Sequence, residues 1–191
     1  LANLASTTNY CYFVREICAP GDTSLWAGPF CFLTPCATVA APLIEDFENH
    51  TLGFSTGVDN CWEIVNSGTY EWELRNTQQT TSTGTGADRD ATLFPATGGQ
   101  FFNADVSFGS AGSSSTLLSP VVDLSSLTTP ELEYHVHRFG NSMADLFVDI
   151  FDGTQWVNGV HSYTNQTGMQ TAPGDPWTDT IIDLTPYSGI T

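Results

Sequence analysis

Residues 131–137 read Glu-Leu-Glu-Tyr-His-Val-His, a run in which polar and apolar side chains alternate. A period of two is typical of a β-strand, because successive side chains of a strand point to opposite faces of its sheet. Other segments rich in β-branched and aromatic residues and bounded by turn formers also predict strands; they are 10–17, 30–34, 99–106, 115–124, 145–151, 155–162 and 178–184. No stretch has a helical stripe. The sequence therefore predicts an all-β fold, an antiparallel β-sandwich of the jelly-roll type.

Turn-forming and low-complexity stretches divide the chain. Residues 34–42 are small and include two prolines, which indicates a linker and places a boundary near Ala41. We predict a short first segment, 1–41, and one larger β-domain, 42–191. Asp152-Gly153 predicts a tight hairpin turn, because these residues tolerate positive φ angles. Residues 78–86 contain only Gln, Thr, Ser, Gly and are expected to form an exposed loop.

The charge balance restricts the partners. The chain has 21 Asp plus Glu against 4 Lys plus Arg, a formal net charge of −17. Such a surface repels nucleic-acid backbones and anionic membranes, and no apolar run approaches the roughly 18 residues of a membrane span. We expect neither nucleic acid nor membrane insertion. Calcium, neutral glycans and basic protein surfaces remain as partners.

Residues 9–36 resemble the last two strands of a fibronectin type III domain, of the form found in large surface proteins of Bacteroidetes bacteria. The motifs are Tyr10-x-Tyr12-x-Val14-Arg15, a Gly-Asp-x-Ser loop, Trp26-x-Gly28-Pro29 and Phe30-x-Phe32-x-Thr34. Only about a third of such a domain is covered. The resemblance implies further strands before residue 1.

Residues 42–191 resemble the MAM domain, a jelly-roll adhesion module. The family's motifs occur in the family's order: Asp46-Phe47-Glu48, Cys61-Trp62, Asp90-Ala91-Thr92, Gly99-Gln100-Phe101-Phe102, Leu117-Leu118-Ser119-Pro120 and Leu132-Glu133-Tyr134-His135-Val136-His137-x-Phe139-Gly140. The resemblance implies one or two closing strands beyond residues 181–184, so we expect the domain to continue past residue 191. The family's first cysteine directly precedes Asp-Phe-Glu, whereas the nearest upstream cysteine here is Cys36.

Five cysteines in a chain rich in Gly, Ser and Thr indicate an oxidising compartment, and hence an extracellular or cell-surface protein. Cys11 and Cys31 lie on neighbouring strands of the fibronectin-like hairpin and are expected on one face, where they can form a disulfide. The MAM resemblance then implies Cys36 with Cys61, leaving Cys18 unpaired. The alternative is a nested scheme of Cys11 with Cys36 and Cys18 with Cys31.

Carboxylates are the best candidate ligands. Calcium takes about six to eight oxygens, which loops at one end of a jelly roll can supply. We select Glu48, Asp88 and Asp90, followed by Asp46 and Asp105, and the MAM resemblance supports Glu48 and Asp90 in particular. The simpler interpretation is that Asp46 and Glu48 are outward positions of an edge strand around buried Phe47.

Other chemistries have weaker signals. His135 and His137 share one face of a strand, as zinc ligands can, but a third ligand is not evident. Trp62, Trp156 and Trp177 are expected to be buried, and Trp26 half-exposed. The sequence has no Gly-x-Ser-x-Gly elbow and no His-Glu-x-x-His motif, so an enzyme is not predicted.

These observations favour a non-catalytic adhesion or recognition module of a large secreted or cell-surface bacterial protein. It would bind a protein or glycan ligand and carry structural Ca²⁺. The alternative is a carbohydrate-binding accessory module of a polysaccharide-degrading or proteolytic enzyme. Loss of a measured sugar affinity when an exposed tryptophan is replaced by alanine would favour the accessory module. Cell-attachment defects without sugar affinity would favour the adhesion module.

Overall fold

The computed structural model describes residues 3–78, 85–92, 98–141, 143–164 and 169–187, so most of the predicted loop 78–86 lies outside the described residues. The fold is all-β, as predicted, and its sheets are almost entirely antiparallel. The chain forms two compact units, Leu1–Thr38 and Val39–Thr191.

The first unit is a twisted hairpin. Strand β1 (Asn9–Val14) pairs with β4 (Ala27–Leu33), and the small hairpin of β2 (Ile17–Ala19) and β3 (Asp22–Thr23) lies between them. The sequence indicates only a Gly-Asp-x-Ser loop here, so the short β2–β3 pairing was not predicted. Aromatic side chains on β1 and β4 form cross-strand contacts, which stabilise such pairs.

The second unit contains the remaining strands. They are β5 (Val39–Ala40), β6 (Gly57–Asp59), β7 (Trp62–Ser67), β8 (Trp72–Arg75), β9 (Phe101–Ala104), β10 (Ser114–Leu118), β11 (Val122–Asp123), β12 (Glu131–Val136), β13 (Leu146–Phe151), β14 (Trp156–Tyr163) and β15 (Thr178–Asp183). Antiparallel pairing gives β10–β7–β6, β8–β9, β12–β15 and β13–β14, and the short β5 and β11 are parallel. Short 3-10 helices span Val106–Phe108 and Thr185–Tyr187.

Residues 39–41, which the sequence assigned to the linker, belong to the second unit. The Val39 amide donates to the Val121 carbonyl at 2.9 Å, and the Ala41 amide donates to the Asp123 carbonyl at 3.1 Å. Backbone hydrogen bonding therefore fixes a stretch that the sequence presents only as small residues near prolines.

Two layers meet through the inner faces of β12–β15 and β13–β14. The Tyr134 hydroxyl lies 2.9 Å from His161 Nδ1, and the Tyr163 hydroxyl lies 2.7 Å from Thr180 Oγ1. Burial of its inward-facing ring raises the pKa of Tyr134. Because β15 alternates between buried and exposed side chains, its other face is open to solvent.

A buried arginine follows the end of β12. Arg138 is only 4% exposed, and its guanidinium donates to the Tyr163 carbonyl at 3.0 Å and to the Ala144 carbonyl at 3.0 Å. Its backbone amide donates to Gln170 Oε1 at 2.7 Å. Burial lowers the pKa of Arg138. Arg138 therefore connects the segment after β12 to the end of β14, to the segment before β13 and to Gln170.

Two turns differ in how they use positive φ angles. In the 151–156 hairpin only Gly153 has positive φ (86°), and Asp152 instead accepts hydrogen bonds from Thr154 and Gln155. The β6–β7 turn has positive φ at both central residues, Asn60 (48°) and Cys61 (69°). The second pattern is that of a tight primed turn.

Candidate functional site

The Asp-Phe-Glu segment forms a turn rather than an edge strand. The Phe47 amide donates to Glu45 Oε1 at 2.7 Å, and Phe47 itself has φ of 61°. Its ring makes edge-on contacts with Trp62 and Phe102, each with ring centroids 5.0 Å apart. Aromatic packing therefore offsets the roughly 1–2 kcal/mol of a left-handed backbone. The segment is not an edge strand, although Asp46 and Glu48 are exposed on either side of the more buried Phe47, as that interpretation expected.

A buried histidine braces this turn. His50 Nε2 lies 3.3 Å from Glu45 Oε2, and His50 Nδ1 lies 3.7 Å from Asp59 Oδ2. The Trp62 indole also donates to Glu45 Oε2, at 3.2 Å. The imidazole thus lies between two carboxylates that are separated in sequence, and its buried Nδ1 has no hydrogen-bond partner among the described residues. Glu45, His50 and Asp59 were not among the predicted ligands, because none belongs to a recognisable spacing.

Glu48 and Asp90, the two carboxylates that the MAM resemblance supports, approach the same turn, residues 98–100. The Gln100 amide donates to Glu48 Oε1 at 2.6 Å, and the Asp90 amide donates to the Gly98 carbonyl at 2.9 Å. A β-carbon on Gly99, whose φ is 74°, would overlap the Asp90 carboxylate. Glycine at this position is therefore required for the close approach.

The donor set at this turn can be compared with the needs of a hard cation. The side-chain oxygen of Gln100 is buried and has no hydrogen-bond partner in the described part of the chain. Uncharged carbonyl oxygens of this kind are calcium ligands, as carboxylates are. Within the same residues no group of three or more His, Cys, Asp and Glu could hold a metal. A cation here would depend on amide and backbone oxygens beside Glu48 and Asp90.

The Asp90 carboxylate already accepts from the Thr92 amide at 2.9 Å and from the Thr92 hydroxyl, and the other three predicted ligands also have structural partners. The Arg89 guanidinium forms an ion pair with Asp88, and its hydrogen bond lowers the pKa of that carboxyl group. Asp105 caps the first 3-10 helix by accepting from the Ser107 amide at 2.9 Å. Asp46 accepts from the Glu48 amide at 3.1 Å. Each of these carboxylates stabilises its own turn.

The histidines have separate environments. His135 Nδ1 lies 2.7 Å from Asp179 Oδ1 on the exposed face of β12–β15. His161 contacts Tyr134, and His137 packs on the Trp177 ring, with centroids 5.5 Å apart. Burial lowers the pKa of His137. His135 and His137 thus have different neighbours, and their alternation along the sequence does not produce a shared zinc site.

A disulfide joins Cys11 to Cys31, which are directly opposite in the β1–β4 register. The nested scheme, in which Cys11 bonds Cys36, is therefore excluded. Cys36 and Cys61 are also disulfide-bonded cysteines, and Cys18 is a free, exposed thiol.

Two tryptophans are open to solvent. Trp156 is 51% exposed, so its predicted burial is wrong, and its ring lies 5.4 Å from that of Phe151. Trp26, in the first unit, is 60% exposed and the Arg15 guanidinium lies 4.6 Å from its ring centroid. Trp62 and Trp177 are only partly buried. Exposed rings mark a recognition surface when they form a contiguous patch, as Trp156 does with Phe151.

No family model, curated protein or solved structure matches this chain. The described residues contain no helix with the length and apolar character needed to cross a membrane.

Proposed function

We propose that this chain is a non-catalytic adhesion or recognition module of a large secreted or cell-surface bacterial protein, with a structural Ca²⁺ site. The approach of Glu48 and Asp90 to the 98–100 turn, beside the unpartnered oxygen of Gln100, carries this proposal. The resemblance of residues 42–191 to a MAM domain and of residues 9–36 to fibronectin type III strands supports it. Disulfides are compatible with an extracellular location.

The ion would connect segments that are far apart in sequence. Glu48 belongs to the turn after β5, Asp90 to the stretch before β9, and Gln100 directly precedes β9. A divalent cation would offset the repulsion between the two carboxylates in a chain of formal net charge −17. Its role would be to hold loops of the sandwich together.

Calcium is expected to raise the melting temperature of the chain by several degrees. A ligand that binds only the folded state at about 100 times its Kd stabilises it by about 2.7 kcal/mol. Glu48→Gln should remove most of the increase in melting temperature, because glutamine lacks the negative charge that binds calcium. The fold should be kept, since the glutamine side-chain oxygen still accepts from the Gln100 amide. The measurement is differential scanning fluorimetry in calcium and in excess EDTA.

Glu133→Gln is the matched control, because Glu133 lies on the exposed face of β12 and pairs with Ile181. This variant should keep the full calcium response. Identical melting curves with and without EDTA, together with no calcium by elemental analysis, would refute the cation site.

A carbohydrate-binding accessory module is the second candidate, and the exposure of Trp26 favours it. Indole faces stack on sugar rings. Glycan-array binding that is lost in Trp26→Ala would favour this candidate. Cell attachment without measurable sugar affinity would favour the adhesion module.

A further inference from the structure

The outward face of β13–β14 combines exposed aromatic rings with a carboxylate. Phe147, Asp149 and Phe151 alternate with inward-facing residues along β13, and all three are exposed. Trp156 is directly opposite Phe151 on β14. Residues two apart on a strand are separated by about 7 Å, so the face presents ring, carboxylate and ring at regular intervals.

Each ring on this face is about half exposed, at 54% for Phe147, 47% for Phe151 and 51% for Trp156. The Phe151 and Trp156 rings are tilted by 53° to each other, so they do not form one flat platform. A tilted pair offers two π faces to a group lying between or above them. Rings that a fold leaves this open contribute little to its core and are available to a ligand.

The carboxylate between the rings is only partly engaged. Asp149 Oδ1 accepts from the Gly159 amide at 2.6 Å, and within the described residues the group forms no other hydrogen bond. It therefore has a fixed position on the face and can still accept from a cationic donor. Charge-assisted hydrogen bonds of this type are about twice as strong as neutral ones.

Charge complementarity identifies the occupant. Aromatic faces attract ammonium and guanidinium groups, and a carboxylate beside them adds a direct ion pair. With only 4 Lys plus Arg against 21 Asp plus Glu, the chain as a whole also attracts cations and repels anionic partners. A neutral sugar would use the rings but would gain nothing from this charge.

We propose that the outward face of β13–β14 binds a cationic, extended peptide segment of another protein, with Lys or Arg side chains over Phe151 and Trp156 and against Asp149. Same-side residues of an extended peptide also repeat at about 7 Å, which matches the spacing along β13. The inference rests on the proposed recognition function and specifies the ligand class of one surface.

The test is isothermal titration of the full chain with the peptide acetyl-(Thr-Lys)4-amide, with acetyl-(Thr-Glu)4-amide and a neutral glucan hexasaccharide as comparison ligands. Only the lysine peptide should bind. Trp156→Ala should weaken its binding about tenfold, and Asp149→Asn about fivefold with a reduced dependence on salt. Asparagine retains an acceptor for the Gly159 amide, so the strand geometry is kept.

Ile181→Ala and Glu133→Gln are the matched controls, since they remove an exposed apolar group and an exposed charge from the opposite layer. Both should change the affinity by less than about twofold. Equal weakening by the control and test variants would mean that the net charge of the chain attracts the peptide without a specific site, and it would overturn the proposal. Absence of binding at millimolar peptide would also overturn it. Trp156-dependent binding of the hexasaccharide alone would also overturn it while leaving the recognition function intact, and the calcium response reports separately on that function.

Discussion

Replacing Cys11 and Cys31 together with serine is expected to unfold the first unit, Leu1–Thr38. Most side chains of its strands are exposed, and chains this short rarely hold a fold by hydrophobic burial alone. The bond closes a loop with a sequence separation of 20, for which the chain-entropy estimate is about 3 kcal/mol. A unit this small is not expected to have a free energy of unfolding large enough to withstand that loss.

The measurement is the amide spectrum of residues 3–38 by NMR. Loss of chemical-shift dispersion for this unit, with the signals of the second unit retained, is the expected result. Cys18→Ser is the matched control, because Cys18 is free and exposed, and it should leave the spectrum dispersed. A dispersed spectrum in the double variant would show that aromatic pairing along β1 and β4 is sufficient.

Arg138→Met is expected to lower the free energy of unfolding of the second unit by about 3–5 kcal/mol. The change removes two charge-assisted hydrogen bonds to backbone carbonyls, each worth about 1.5–3 kcal/mol, and leaves the carbonyls of Tyr163 and Ala144 without these donors. Methionine fills a similar volume, so loss of hydrogen bonding dominates over cavity formation. Equilibrium unfolding in urea, followed by tryptophan fluorescence, measures the difference.

Arg75→Met provides the comparison, because Arg75 is less buried than Arg138 and forms an ion pair with the partly exposed Glu73 at 2.8 Å. Surface pairs contribute about 0–1 kcal/mol, so this variant should change stability far less. Arg138→Lys should fall between the two, since lysine retains the charge without the planar fork that reaches two carbonyls. Equal effects of Arg138→Met and Arg75→Met would contradict the structural role of Arg138.

The alternation of polar and apolar residues along the chain predicted most of the strands. It does so because one face of each strand packs on the interior and the other face is exposed to solvent. The predicted strand 131–137 appears as Glu131–Val136, and 178–184 appears as Thr178–Asp183. Strands β6, β7 and β8 were not predicted. β6 and β7 pair locally, but their Asn60-Cys61 turn lacks the glycine that marks a hairpin in a sequence. The pairing of β7 with β10 and of β8 with β9 is long-range, so no local window contains that part of the signal.

The orientation of a strand is less predictable than its existence. A period of two says that Phe147, Asp149 and Phe151 share a face but not whether that face is inward. Trp156 was assigned to the core because it is a tryptophan at a strand position, whereas the structure places it outside with Phe151. Which face is buried is decided by the neighbouring layer, and that information is absent from the strand itself.

The candidate cation site was predictable only in part. Glu48 and Asp90 were selected on the sequence, and they do approach one turn. Asp88 was selected with them, but the adjacent Arg89 occupies its carboxylate. The buried contacts of His50 and Arg138 depend on groups many positions away, so neither residue type nor spacing indicated them.

The β6–β7 turn has a consequence for production in bacterial cytosol. Cys61 holds a left-handed backbone that glycine adopts without steric cost, and Asn-Gly is the preferred pair for such a turn. Where glutathione keeps thiols reduced, Cys61 loses its covalent partner and retains the conformational penalty of about 1–2 kcal/mol. Laboratory evolution for soluble yield in a reducing host should therefore enrich Cys61→Gly, whereas export to the periplasm should preserve the cysteine.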